Sequence, residues 1–345
     1  MEIASNIVFN VGLLFIMMIP GIIINKCKLA DGAFGKGISN LVLYVAQPAL
    51  IFLAYLKEYS YTVLINSLVV LLLSVIAHGI FCLALLFFRK TTDDRQRMLR
   101  FATIFSNAAF MGIPLITAVL GAEYTIYASI YNITFNMFLW TLGVHICTAG
   151  NTLDDGTVLK SEASPKKALL HPVTIAAALG LVFFFLPIHS YVPEIIDKSL
   201  NMVANLVAPL SMLVLGLRIA EIDLKGAPRV KKNDDADAKN ADCNTPKTPS
   251  FFADINLYVF IGLRHFIMPA LVIGAIALLK LVGLPIDSEI TTVVVIMASA
   301  PAASSAAMFA EKYDCDAAYV SKLVAFSTII SIASMPLMSM LASLV

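Results

Sequence analysis

Charge is scarce in this sequence. Of its 345 residues only 14% are Asp, Glu, Lys or Arg, against about 25% in soluble domains. Hydrophobic residues make up 59%, and the mean hydropathy is +0.86. Those values exclude a soluble globular protein and imply a chain that crosses a membrane many times. A net charge of +1 offers no field for nucleic acid. The cysteines at 27, 82, 147, 243 and 315 form no CxxC and pair with no histidine, so neither a metal centre nor a redox motif is expected. No basic segment precedes the first apolar run, where Glu2 is the one charge, so residues 3–25 read as a retained span and not a cleaved leader. No Walker motif and no nucleophile–His–acid constellation is recognisable. "GAFGKG" (32–37) has no strand before it and reads as a loop. The sequence therefore predicts neither an enzyme nor an ATP-driven pump, and no cofactor.

What is present is a series of ten apolar runs, each near the twenty residues a spanning helix needs. They fall at 3–25, 37–56, 62–88, 98–120, 124–149, 171–189, 194–219, 254–280, 287–310 and 317–344. Most connections are short. A polar connector occupies 150–170, and a longer stretch, 220–253, mixes both charge signs with Pro and Asn and reads as a flexible cytoplasmic loop. Basic residues fix the expected orientation. Twenty of the 24 Lys and Arg residues follow odd-numbered runs, among them Lys26, Arg95, Lys166, Arg218 and Lys312. The other side holds Lys57, Lys198 and Lys280, and Arg264 lies inside the eighth run. Both termini are thus expected outside a cell membrane, the plasma or inner one. The connector divides the chain into 1–149 and 171–345, each with five runs, which enter the bilayer from opposite sides. That is the inverted-repeat arrangement of many secondary transporters. A weak internal echo agrees: Asn40 precedes Pro48, and Asn201 precedes Pro209, by the same interval.

Two runs are interrupted at equivalent places. The fourth contains "SNAAFMGIPL" (106–115) and the ninth "ASAPAASSAAM" (298–308). Proline inside a helix removes a hydrogen bond and clashes with the preceding turn, and irregular backbone at membrane depth must be buried in protein or line a wet cavity. The expectation is two broken helices, with Pro114 opening one half-helix, Gly112 its joint, and Pro301 opening the other. Their positive ends would meet inside the bundle and favour an anion. Ser106, Asn107, Ser299, Ser304 and Ser305 add neutral hydrogen-bonding groups. Gln47 beside Pro48, and Asn132 and Asn136 one turn apart, are candidate cavity residues, with helix–helix bonding as the alternative. His78, His145, Arg264 and His265 are ionisable within apolar runs and so are candidates too; for Arg264 the alternative is a side chain snorkelling to the cytoplasmic interface. No Asp or Glu lies in the middle of a run: Glu194, Asp197, Asp287 and Glu289 sit near ends. Lack of a buried carboxylate argues against cation exchange and for a neutral or anionic organic solute.

At these residues the sequence resembles the auxin efflux carrier family, across essentially the whole chain. The most specific stretches are "SNAAFMGIPLI" and "SAPAASSAAMFAEKYDCD" (299–316), with "YVAQPALIF" (44–52) and "LWTLG" (139–143) in support. The resemblance implies an all-α polytopic membrane protein of ten transmembrane helices, in the fold class of the bile-acid symporters and sodium–proton antiporters. It implies a scaffold domain and a transporter domain, with the fourth and ninth helices crossing at Pro114 and Pro301. Asn107 would contact substrate. Where plant members carry a second asparagine in the ninth helix, this sequence has serines. The implied function is elevator-type secondary transport of a small organic anion, a dicarboxylate such as malate or an auxin-like acid. Proton or sodium would be the coupling ion and a homodimer through the scaffold the assembly. A sodium-coupled organic-anion symporter and a transporter-derived ligand sensor, docking through 220–253, are the alternatives.

Overall fold

Lipid offers no hydrogen bonds, so apolar runs of this kind must satisfy their own backbone, and helices do so. A computed structural model describes residues 2–30, 32–88, 93–148, 164–186, 191–220, 254–313 and 315–345. Among them the structure is helical, with one isolated β-bridge. Most of the predicted connector 150–170, and all of the predicted loop 220–253 except Ala220, lie outside the described residues.

The helices are α1 (Asn6–Lys26), α2 (Ala33–Tyr55), α3 (Tyr61–Phe87), α4 (Asp94–Ile104), α5 (Ala108–Leu120), α6 (125–148), α7 (Pro172–Phe185), α8 (Glu194–Ala220), α9 (Ile255–Leu281), α10 (Ser288–Ser299), α11 (Ser305–Lys312) and α12 (Ala317–Ala342). Six of these, α1, α2, α3, α8, α9 and α12, are long and apolar enough to cross a bilayer. The fourth predicted run is α4 plus α5, and the ninth is α10 plus α11. The stretch "GAFGKG" is not a loop: helix runs from Gly32 through Leu41, since nothing in it forbids helical dihedrals.

Several helices contain one widened, π-type turn: Val42–Ala46 in α2, Ala108–Gly112 in α5, Leu139–Gly143 in α6 and Leu263–Ile267 in α9. Proline explains three of them. Pro48, Pro114 and Pro269 each stand just beyond such a turn. A proline ring collides with the carbonyl four residues back and offers it no N–H, and a wider turn moves that carbonyl away. The helices bend around these prolines without stopping.

Packing sorts the helices into two sets. In one, α7 and the first half of α8 lie on the second half of α2, and the second half of α8 lies on the end of α1. In the other, α3, α6, α9, α10 and α12 surround the short helices α4, α5 and α11, and the first half of α1 joins this set through contacts with α5 and α12. The α1–α8 contact is made at backbone distance. A Cβ placed on Gly216 would strike the carbonyl of Met18, and one on Gly21 the carbonyl of Leu213. Small residues at such positions let membrane helices approach closely, where dispersion replaces the absent hydrophobic drive.

Three N-termini of the second set are gathered at one end by aspartates. Asp93 accepts from the Arg95 N–H at 2.9 Å, Asp254 from the Asn256 N–H at 3.0 Å and Asp316 from the Tyr319 N–H at 3.0 Å, capping α4, α9 and α12. Arg95 Nε donates to Asp316 at 3.0 Å and lies 4.9 Å above the Tyr319 ring, and the Tyr319 hydroxyl donates to Asp254 at 2.9 Å. Starting level, α4 and α9 reach the same depth together. Thr103 and Arg264 are each nine residues in, roughly 14 Å at 1.5 Å per residue.

Replacing Gly216 with Val should separate α1 from α8. We expect a loss of about 3 kcal/mol, the upper end for overpacking because backbone carbonyls must move. It would be read as a lower Tm of the purified protein, whereas Gly79→Ala, whose Cβ meets open space, leaves Tm near wild type.

Candidate functional site

The interior site is built where two helices stop. Between α4 and α5, and between α10 and α11, the chain runs extended and the two segments pair antiparallel. The Asn107 N–H donates to the Pro301 carbonyl at 2.7 Å, and the Ala303 N–H donates to the Phe105 carbonyl at 2.9 Å. Ser106 and Ala302 face each other across this single bridge. Pro301 contributes locally, because proline disfavours the α conformation in the residue before it, and Ala300 is extended (φ −55°, ψ 149°). The segments are buried: Ser106 is 3% exposed and Ala302 0%.

The crossing lies at Phe105–Asn107 and Ala300–Ala303, which corrects two expectations. Pro114 does not open a half-helix or sit at the crossing; it is inside α5, accommodated by the widened turn before it. Gly112 is no joint, since its backbone is helical (φ −64°, ψ −54°). A Cβ there would lie 2.7 Å from Met297 Sδ, so Gly112 serves the close approach of α5 to α10. Pro301 stands at the crossing, its carbonyl accepting from the Asn107 N–H.

Stopping α4 and α10 leaves carbonyls without partners at two negative helix ends. Arg264 meets both. Its guanidinium, fully buried, donates through Nη1 to the Thr103 carbonyl at 3.0 Å, and through Nη2 to the Ala298 carbonyl at 3.0 Å and to the Ala300 carbonyl. The Phe81 ring lies 4.6 Å beneath it. Among the described residues no carboxylate pairs with Arg264. Each helix C-terminus carries about half a negative charge, so two such ends offset about one guanidinium. Arg264 does not snorkel to an interface, because its partners lie at the crossing.

The neighbouring His265 braces the same place. Its Nδ1 is 2.9 Å from Ser334 Oγ and its Nε2 is 2.8 Å from Ser327 Oγ. Ser327 Oγ also accepts from the Ala302 N–H at 2.9 Å. One histidine thus ties α9 and α12 to the bridge.

The opposite faces of the breaks are the positive helix starts. Asn107 and Ser304 stand at the N-cap positions of α5 and α11, and neither side chain bonds the first turn of its own helix. Their side chains meet, with Ser304 Oγ donating to Asn107 Oδ1 at 3.4 Å. Asn107 is 2% exposed, and its Nδ2 has no hydrogen-bond partner among the described residues. Buried donors are normally paired. Two more open groups belong to elements that pack on α5. Gln47 Nε2 donates to the Ala109 carbonyl at 2.6 Å and leaves Oε1 unpaired; on α6, Asn132 Oδ1 is unpaired while its backbone carbonyl accepts from Asn136 Nδ2 at 2.9 Å. Ser299 Oγ instead donates to its own helix, to the Val295 carbonyl at 2.6 Å, and Ser305 opens α11 half-buried. Beside Ser304 a shallow cleft lies between α8, α11 and α12, lined by Arg218, Ser321 and Thr328 over an apolar floor that includes Leu215 and Val324. Of the other histidines, His78 stacks on Phe138 with ring centroids 5.0 Å apart and bonds the Ser74 carbonyl at 2.7 Å. His145 is exposed.

Thr103, Ser327 and Ser334 went unread in the sequence. A signal existed for two of them: Ser327, Ser331 and Ser334 recur at helical spacing and are all buried.

Paired backbone breaks buried inside a bundle of long apolar helices define a polytopic membrane protein. Residues 7–339 match the family described as membrane transport protein, and the chain belongs to that family, the one containing the auxin efflux carriers. It is also similar to an uncharacterized transporter of Methanocaldococcus jannaschii, 27% identical over 197 residues, which is 55% of this chain and 61% of that protein. The chain is thus a multi-pass membrane protein of that family, and it spans about three fifths of the length of that relative.

Ser327→Ala should strand the Ala302 N–H and one His265 nitrogen. We expect a loss of about 1–3 kcal/mol, seen as a lower Tm. Ser321→Ala, which removes only a bond to the Ala317 carbonyl on its own helix, stays within about 0.5 kcal/mol of wild type.

Proposed function

We propose that the protein is a secondary carrier of a small organic anion, a carboxylate or dicarboxylate, bound at the starts of α5 and α11. The observation that carries this reading is the meeting of Asn107 and Ser304. Two positive helix ends converge there, a buried amide donor points at no protein partner, and no Asp or Glu side chain bonds to either residue among the described residues. The two starts carry about half a positive charge each, and a carboxylate both neutralises them and accepts from Asn107 Nδ2. Arg218 lines the adjoining cleft, within reach of the far end of a longer solute.

In this reading the halves 1–149 and 171–345 are inverted five-helix repeats, both termini are extracytoplasmic, and the Arg218 cleft opens to the cytoplasm. Alternating access follows if the set holding the crossing slides against the set holding α2, α7 and α8, and the close-packed α1–α8 contact gives the latter a rigid seam. Gln47 and Asn132 carry acceptors that suit the hydroxyl of a hydroxy acid. The carrier assembles as a homodimer through that rigid set.

Uptake of malate and related dicarboxylates into proteoliposomes tests the proposal. Asn107→Ala should lower the specificity constant about tenfold or more, the effect of one lost hydrogen bond to a charged group. Arg218→Gln should raise KM with little change in maximal rate, because its charge acts on bound solute and on the moving complex alike. Transport by Asn107→Ala at the wild-type rate would place the solute elsewhere.

A further inference from the structure

We infer that the carbonyl cluster at the helix crossing is a cation site filled by the protein's own Arg264, so that no free sodium ion binds at this break. Broken membrane helices expose carbonyls that can hold an alkali cation in place of water. At this crossing the Thr103, Ala298 and Ala300 carbonyls converge from two helices, and all three accept from one guanidinium. That donor is tethered to α9, 0% exposed, and seated on the Phe81 ring. No carboxylate joins the cluster among the described residues, so the site carries the charge of two helix ends and no more. Arg264 already matches it. A second cation about 5 Å away would be disfavoured by more than about a hundredfold at an effective dielectric near 20.

The planar fork matters as much as the charge. Two different nitrogens reach carbonyls of different helices, which a single ammonium cannot do with the same geometry. Arg264 thus holds α4 and α10 together in every step of a transport cycle, whereas a mobile ion would hold them only while bound. The inference concerns the cation and stands independently of which solute the N-terminal ends receive.

The purified full-length protein can be melted in sodium chloride and in choline chloride at equal ionic strength. Wild type should show a Tm difference below about 1 °C, whereas an ion bound only by the folded state at tenfold its Kd would raise Tm by about 2 °C. Such a sodium-specific rise in wild type would overturn the inference. Arg264→Ala opens the cluster, lowers Tm, and should be raised by guanidinium at tens of millimolar relative to choline, with no such rise in wild type. A variant that folds and ignores guanidinium also counts against it. Should Arg264→Ala fail to fold, Arg264→Lys decides with the wild type. It should be less stable than wild type and as indifferent to sodium, and a lysine variant equal in Tm to wild type would contradict the role of the fork. None of these readouts involves transport, so they remain informative whatever solute is carried.

Discussion

Two helices end inside the protein, and the carbonyls they leave behind must be answered there. In water this would cost little. In a bundle surrounded by lipid each orphan carbonyl is expensive, and two negative helix ends side by side repel each other besides. The guanidinium of Arg264 settles both difficulties, bonding carbonyls of both helices while its charge offsets the two ends. The isolated pairing of Ser106 with Ala302 is too small to stand alone. It survives because Arg264 holds the helix ends on either side of it and Ser327, bonded to His265, holds the Ala302 N–H.

That arrangement makes the two faces of the crossing chemically unlike. The C-terminal face is saturated by a permanent cation. The N-terminal face keeps two positive ends, an unpaired amide of Asn107 and the hydroxyl of Ser304. In the proposed carrier a solute bound there would meet a surface whose opposite side is already neutralised, and so a net positive field of short range. Water is excluded from the bridge itself, which strengthens each of these interactions. The widened turns at Ala108–Gly112 and Leu263–Ile267 lie beside this crossing, one carrying Gly112 against α10 and the other aiming Arg264 and His265 together. Wide turns of this kind concentrate at functional positions.

Much of this was legible in the residues. The scarcity of charge and the long apolar runs identified a polytopic membrane protein, and the two interrupted runs marked the places where helices break. Asn107, Ser304 and Pro301 were found because Asn, Ser and Pro are out of place in a lipid-facing helix. Pro114 and Gly112 misled for a physical reason. Proline and glycine signal trouble for a regular α-helix, but a widened turn and a tight contact to Met297 resolve that trouble without breaking the chain. The break lies at Phe105–Asn107, at the head of the quoted stretch, where the segment Ala300–Ala303 supplies the hydrogen bonds.

Composition and local order account for the membrane as solvent, the helices, the two interrupted runs and the lack of Asp or Glu in the middle of any run. Which atoms meet is a matter of packing. Arg264 illustrates the difference. As a residue in a string it is equally suited to an interface or an interior, because its long stem can carry the charge either way. Its true place follows from the level starts of α4 and α9 under their aspartate caps, which bring Arg264 and Thr103 to one depth. Hydrogen bonds between residues more than a hundred positions apart are set by packing, and packing is a property of the whole fold.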